Sequence, residues 1–349
     1  MFRVVLIEHG YASIDVERRI IEKAGGELVD ADRLPLGKAL ELCREADGVL
    51  FRRIDMTNEM IRQFRKCRII VRYGIGTDNV DTAAATEANI IVGHVPSYCI
   101  DEVSTHALAL LLACARKIVP TQRRMEQGSW DVHRDDPIFR LAGKTIGIVG
   151  LGNIGRAVAR KLGGWNVKLL ACDPFVAPEK ARELAVELVD FETLCRSSDF
   201  ITLHCPLLPE TRHLINAKSL NWMRRGAMVV NTARGLVVDT RALLEAIDSG
   251  RIASAALDVF EQEPLAADSP VRRHPRVAVT DHTAWYSEES QAELQRTAAE
   301  ELARVCAGGL PRSLANPEVI ERLGRMKEWE PAENMLWQLS RLRALGRLA

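Results

Sequence analysis

The 349-residue chain balances 47 Lys and Arg against 47 Asp and Glu, which excludes a global electrostatic pull toward nucleic acid or an anionic membrane. Its length exceeds what one hydrophobic core usually covers, so two domains are expected, and 47% hydrophobic residues support ordinary globular folding. Eight cysteines (Cys43, Cys67, Cys99, Cys114, Cys172, Cys195, Cys205 and Cys306) lie mostly in apolar runs without C-x-x-C spacing, and read as buried thiols in a reducing cytosol.

The opening MFRVVLIEHG lacks the long apolar region of a signal peptide. The longest later apolar run, ALALLLACA at 107–115, is too short to span a bilayer, so the expectation is a cytoplasmic, soluble protein. Apolar, β-branched runs then alternate with helical patterns. FRVVLIE precedes IDVERRIIEKAGG, DGVLFRR (47–53) precedes a polar helix, and RIIVRYG (68–74) precedes NVDTAAATEANI, the pattern of parallel βαβ units. A long apolar helix, 101–118, reads as a bridge between domains, and the charged, Trp-containing stretch at 119–137 as an arm. A second series starts at GKTIGIVG (143–150) and continues through NVKLLACD, DFITLHC, GAMVVNTA, ASAALDV and RVAVTDH. Six strands in series predict a full doubly wound sheet, and a final helix near 287–306 leads back to the first series.

The fold class expected is therefore α/β with two doubly wound parallel-sheet domains. A Rossmann domain at 101–285 is inserted into a discontinuous flavodoxin-like domain formed by 1–100 and 286–349.

Gly150-Leu-Gly-Asn-Ile-Gly155 joins an apolar strand to a helix. That context gives the three glycines their mechanism: a tight turn, close backbone approach, and a pyrophosphate over a helix N-terminus. Gly150, Gly152, Asn153, Ile154 and Gly155 are accordingly candidate dinucleotide contacts, and Asp173, at the end of the next strand, is placed to bind a ribose diol. Pro174 and Phe175 follow it, with no arginine to hold a 2′-phosphate, so NAD (NADH) is expected over NADP.

Arg234, Glu263 and His282 also fall at strand ends of the second series, where ligands sit in an open α/β sheet. Reduction of a 2-keto acid needs a cation to hold the carboxylate and polarise the carbonyl, and a proton donor for the oxygen. Arginine's fixed fork suits the first task and a histidinium the second, while a neighbouring carboxylate favours the charged imidazole.

Across nearly its whole length the sequence resembles the D-isomer-specific 2-hydroxyacid dehydrogenases. The resemblance rests on VRYGIGTDNVD (71–81), GIVGLGNIGRAVA (147–159), LHCPLLPETRHLI (203–215), VVNTARGLVVD (229–239), ALDVFEQEP (256–264) and TDH (280–282). It implies Arg234, Glu263 and His282 as the catalytic triad. It also implies cofactor contacts from the glycine loop, Asp173, Cys205, Pro206, Thr211, Thr232, Ala233, Arg234, Asp258 and His282. HTAWYSEES is similar to the branch that includes the C-terminal binding proteins, NAD-binding corepressors. That likeness implies Trp285 as a pocket wall and Arg72, with Gly74, Ile75 and Gly76, as substrate contacts. Asp281 stands where most members have proline, and a solvated side chain is expected there.

Arg52 and Arg53 end the strand GVLFRR, where the family's substrate domain faces its cleft. Successive strand residues point to opposite faces, so only one need reach a second anionic group on a phosphonopyruvate-like or phosphohydroxypyruvate-like substrate. The alternative is an NAD(H)-sensing corepressor-like binding protein with little turnover. Against it stands the C-terminal ENMLWQLSRLRALGRLA, whose Met335, Leu336, Leu339, Leu342 and Leu345 approximate a helical stripe rather than a disordered tail. The arm at 119–137 resembles the region through which the family forms homodimers. His133, Asp135 and Asp136 lack metal-ligand spacing, and the Arg123–Arg124 pair is too short for a nucleic-acid footprint, so neither a metal nor nucleic acid is expected.

Overall fold

A computed structural model of the protein describes residues 1–131, 137–330 and positions 339, 343, 344 and 346. The 132–136 cluster and, apart from Leu339, the C-terminal stripe lie outside the described residues. The chain divides into two compact units, Met1–Tyr98 with Ser287–Ala349, and Cys99–Tyr286.

The first unit runs β1 (Phe2–Leu6), α1 (Asp15–Lys23), β2 (Gly26–Asp30), α2 (Leu36–Cys43), β3 (Gly48–Phe51), α3 (Asn58–Ile61), β4 (Ile69–Arg72), α4 (Thr82–Glu87) and β5 (Ile91–Gly93). Its five strands are parallel in the order β2-β1-β3-β4-β5, the flavodoxin-like arrangement. All four positions of β3 are buried, as a strand covered on both faces requires. Sequence periodicity marked β1, β3 and β4 but not β2 or β5. GELVD carries two exposed positions at the sheet edge, and IVG is only three residues long.

The second unit runs α5 (Ile100–Ala115), α6 (Ile118–Glu126), β6 (Thr145–Val149), α7 (Asn153–Lys161), β7 (Lys168–Cys172), α8 (Pro178–Arg182), β8 (Val186–Leu188), α9 (Phe191–Ser197), β9 (Phe200–Leu203), α10 (Ala217–Trp222), β10 (Ala227–Asn231), α11 (Thr240–Asp248), β11 (Ile252–Leu257), α12 (Pro270–Arg273) and β12 (Val277–Val279). Its seven parallel strands have the order β12-β11-β10-β9-β6-β7-β8, which reverses direction beside β6. The sheet therefore has one strand more than the six read from sequence. The addition is the short edge strand β8, whose central Glu187 is exposed. The helix expected over 101–118 stops at Ala115, because Lys117 adopts φ 53° and the next helix leaves at a 60° bend. Among the described residues no single helix is long and apolar enough to cross a membrane.

The chain then returns to the first unit through α13 (Glu288–Cys306) and α14 (Glu318–Arg322). A reciprocal capping box starts α13: the Ser287 hydroxyl accepts from Ser290 N–H at 2.9 Å, and the Ser290 hydroxyl accepts from Ser287 N–H at 2.8 Å. Fully buried Glu17 on α1 accepts from Tyr73 Oη at 2.8 Å and from Gln295 Nε2 on α13 at 2.9 Å. Further on, the Asn316 side chain accepts from Val92 N–H and donates to the Ile90 carbonyl, joining the returning segment to β5.

Candidate active site and cofactor cradle

In the second unit the reversal of strand order falls between β6 and β9, where the glycine loop leaves β6. Gly150 has φ +89°, and a Cβ there would lie 2.8 Å from Cys205 N and His204 C. Only glycine lets the loop lie against the turn that follows β9. A Cβ on Gly155 would lie 2.1 Å from the Gly150 carbonyl oxygen, so the third glycine allows α7 to start directly beneath the first. At Gly152 an added Cβ meets nothing within 4 Å. The loop is thus open at its middle, where a ligand backbone would approach.

No side chain caps α7, and its first turn holds no acidic residue. The unspent N–H groups and helix dipole there suit an anion. Arg156, passed over in the sequence reading, folds back on this end: Nη2 donates to Asn153 Oδ1 at 2.7 Å and Nε to the Gly152 carbonyl at 3.3 Å. A cation in the first turn opposes the helix dipole, and that mismatch is a sequence signal for a bound anion. Ile154 packs into the core beneath.

Asp173 braces the loop, accepting from Leu151 N–H at 2.8 Å and Phe175 N–H at 2.9 Å while remaining half-buried. Each carboxylate oxygen retains acceptor capacity for a hydroxyl. The Thr211 hydroxyl is spent within its own turn, donating to the Pro206 carbonyl at 2.6 Å and accepting from Leu208 N–H. Cys205 is buried, its thiol pushed up to about 12 by burial, and Pro206 is exposed beside it. The Thr232 hydroxyl is buried without a hydrogen-bond partner among the described residues, a polar atom in want of a ligand. The open Gly152, the uncapped α7, Asp173 and this orphan hydroxyl together fit a dinucleotide.

Three neighbouring strand ends carry the remaining groups. After β10, fully buried Asn231 shapes the turn, accepting from Ala233 N–H at 3.0 Å and donating to the Arg234 carbonyl at 2.9 Å. The next residue, Gly235, packs so closely on the loop after β11 that a Cβ would lie 1.9 Å from Phe260 C and O. In that loop Glu263 Oε1 accepts from Phe260 N–H at 2.9 Å, and Oε2 lies 2.6 Å from His282 Nδ1. A carboxylate partner makes Nδ1 the protonated nitrogen and leaves Nε2 for other chemistry. Burial opposes ionisation of Glu263, but the His282 hydrogen bond and charge, Phe260 N–H and Arg234 outweigh it and hold the carboxyl below its ordinary value.

His282 sits at φ +58°, a left-handed conformation rare for side-chain-bearing residues. Asp258, 1% exposed, holds it there: its carbonyl accepts from His282 N–H at 2.8 Å. Its carboxylate accepts from Thr280 Oγ1 at 2.6 Å, Thr283 N–H at 2.9 Å and Ala284 N–H at 3.1 Å. The residue expected to touch the cofactor therefore clamps both flanks of the histidine. His106 on α5, not singled out from sequence, joins the clamp through Nε2, 3.1 Å from Thr280 Oγ1. Asp281 is exposed, and half-buried Trp285 stacks edge-on against Tyr286 at 5.5 Å.

In the first unit, the ends of β1, β3 and β4 gather Tyr11, Arg52 and Arg72. Arg52 is half-buried with its guanidinium 5.3 Å from the Tyr11 ring centre, whereas Arg53 is exposed. Arg72 Nε donates to the Arg52 carbonyl at 3.1 Å. Its guanidinium crosses Gly74, where φ is +143° and a Cβ would lie 1.7 Å from Nη1. Gly74 is buried, and Ile75 and Gly76 are half-buried.

The NAD binding domain of the D-isomer specific 2-hydroxyacid dehydrogenases matches residues 108–284. The chain belongs to that family. It is 37% identical over 322 residues to D-3-phosphoglycerate dehydrogenase of Methanocaldococcus jannaschii, covering 91% of this chain and 61% of that protein. Against glyoxylate reductase of Korarchaeum cryptofilum it is 39% identical, covering 75% and 80%. Among solved structures, a glyoxylate reductase from Paecilomyes thermophila superposes with a TM-score of 0.82 at 26% identity, covering 90% of this chain and 98% of that one. The chain spans less than two thirds of the length of the phosphoglycerate dehydrogenases it matches, 61% and 50% for two of them.

Proposed function

We propose that this chain is an NAD-dependent reductase interconverting a 2-keto acid and a D-2-hydroxy acid. The reading is carried by the 2.6 Å Glu263–His282 pair, held at one sheet edge with Arg234. The glycine loop at Gly150–Gly155, Asp173 and Thr232 would hold the nicotinamide cofactor, which when bound would supply the hydride that reduces the keto carbon. His282 donates the Nε2 proton to the carbonyl oxygen and takes it back in the reverse direction, while Glu263 holds the Nδ1–H and fixes the ring. Arg234 offers its fork to the substrate oxygens. In the first unit, Arg72 and the loop at Gly74–Gly76 are assigned to the carboxylate.

The second anionic group is assigned to Arg52 rather than Arg53, because Arg52 is half-buried beside Tyr11 whereas Arg53 is exposed. Relatives named for phosphoglycerate support a phospho substrate, and those named for glyoxylate support a smaller one. A homodimer is supported by large apolar side chains exposed on α6 and beyond: Ile118, Met125, Trp130 (87% exposed) and Phe139. Eight free thiols, seven of them buried, support a reducing cytoplasm.

Steady-state NADH oxidation with pyruvate, glyoxylate, hydroxypyruvate and their phospho or phosphono relatives, in wild type and His282→Ala, tests the reading. Turnover abolished in His282→Ala is expected, with the phospho or phosphono acids preferred. Equal efficiency across the panel removes the second anion, and no turnover with any acid favours an NAD-sensing, corepressor-like role.

A further inference from the structure

His94, in the segment after β5, is 6% exposed and takes no part in the chemistry described above. Its Nδ1 lies 2.8 Å from the Ile75 carbonyl oxygen, so Nδ1 carries the proton. Nε2 is buried without a hydrogen-bond partner among the described residues, and Ile75 is the ring's polar anchor. Burial pushes the imidazole down to about 4, with the Ile75 carbonyl opposing and Arg72 reinforcing, so the ring is neutral at ordinary pH. The adjacent Val95 N–H donates to the Gly74 carbonyl at 3.0 Å.

Two successive carbonyls, of Gly74 and Ile75, are thus turned toward the 94–95 segment. A trans peptide carries its N–H opposite its C=O, so the N–H groups of Ile75 and Gly76 point the other way. Neither donates to an acceptor among the described residues. Adjacent N–H groups aimed together form an anion receptor, here beside the Arg72 guanidinium that crosses Gly74.

We infer that His94 is the positioning residue for this receptor: by holding the Ile75 carbonyl back, it aims the Gly76 N–H at the carboxylate of the keto acid. The inference rests on the reductase reading. The test compares His94→Leu with His94→Asn, whose carboxamide nitrogen can take the place of Nδ1. Loss of one aimed donor is expected to raise KM for keto acids roughly ten- to a hundredfold in His94→Leu. KM for NADH, and kcat at saturating keto acid, should stay within about threefold of wild type. His94→Asn should recover most of the keto-acid KM. Should the Leu chain fail to fold, His94→Gln, with a displaced donor, replaces it and should raise only the keto-acid KM.

An unchanged keto-acid KM in His94→Leu, or in His94→Gln where that replaces it, overturns the inference, as does a loss shared equally by NADH and keto acid that Asn does not recover. A wild-type chain without turnover overturns the reductase reading and this inference with it. An active wild type with an indifferent His94 overturns the inference alone.

Discussion

Glu263→Gln is the most informative single substitution, because it keeps the side-chain shape and removes the charge. In the native site Oε1 accepts from Phe260 N–H at 2.9 Å while Oε2 meets His282 Nδ1 at 2.6 Å, so both oxygens are committed as acceptors. A glutamine has one oxygen for these two donors, and its NH2 must face the other. Replacing a charge-assisted hydrogen bond by a neutral one costs about 1 kcal/mol, and the mismatched donor adds about 1–2 kcal/mol. The two side chains are 40% and 35% exposed, so solvent screening holds the sum near about 2 kcal/mol. If that loss falls on the transition state, kcat for keto-acid reduction drops roughly thirtyfold. The assay is NADH oxidation at saturating keto acid. A variant with kcat within about twofold of wild type would refute the assigned role of Glu263.

Gly152→Ala and Gly155→Ala should part company. The first meets open space and should leave the melting temperature unchanged while weakening NADH binding roughly tenfold or more; the second clashes with Gly150 and should lose stability as well, as read by thermal melts and NADH fluorescence titration. Arg52→Ala should raise KM for phosphohydroxypyruvate roughly ten- to a hundredfold with little effect on glyoxylate, and Arg53→Ala should change neither, in a two-substrate comparison. Gly235→Ala, forced against Phe260, should destabilise by about 1–3 kcal/mol and lower kcat together, checked by denaturant unfolding alongside kinetics. Because the Glu263 carboxyl lies below its ordinary value of 4.5, its stabilisation is complete above that value and is lost as pH falls through the folded one. Wild type should therefore lose more unfolding free energy than Glu263→Gln between about pH 5 and pH 3 in urea titrations.

Much of the fold was legible because parallel strands buried on both faces must be apolar throughout. IIV in β4 and MVV in β10 announce themselves, whereas β8, with exposed Glu187 on an edge, looks like a loop. The glycine loop was legible for a similar reason, since its turn and close approaches are local. Arg156 could have been found as a cation in the first turn of a helix. His106 could not, because its partner Thr280 is 174 residues away.

By itself the sequence determined the alternation of strands and helices, the glycine loop and the set of charged residues at strand ends, since these depend on neighbours a few positions apart. Only the tertiary structure decided which of them meet. Strand order brings the loops after β10, β11 and β12 side by side, and the bare contact of Gly235 with Phe260 holds the first two together. Asp258 then grips residues 22 to 26 positions further on and keeps His282 in a left-handed turn. A carboxylate that reads as a ligand contact also acts as a clamp, because at 1% exposure its acceptors are met by the Thr280 hydroxyl and the Thr283 and Ala284 N–H groups that flank the histidine.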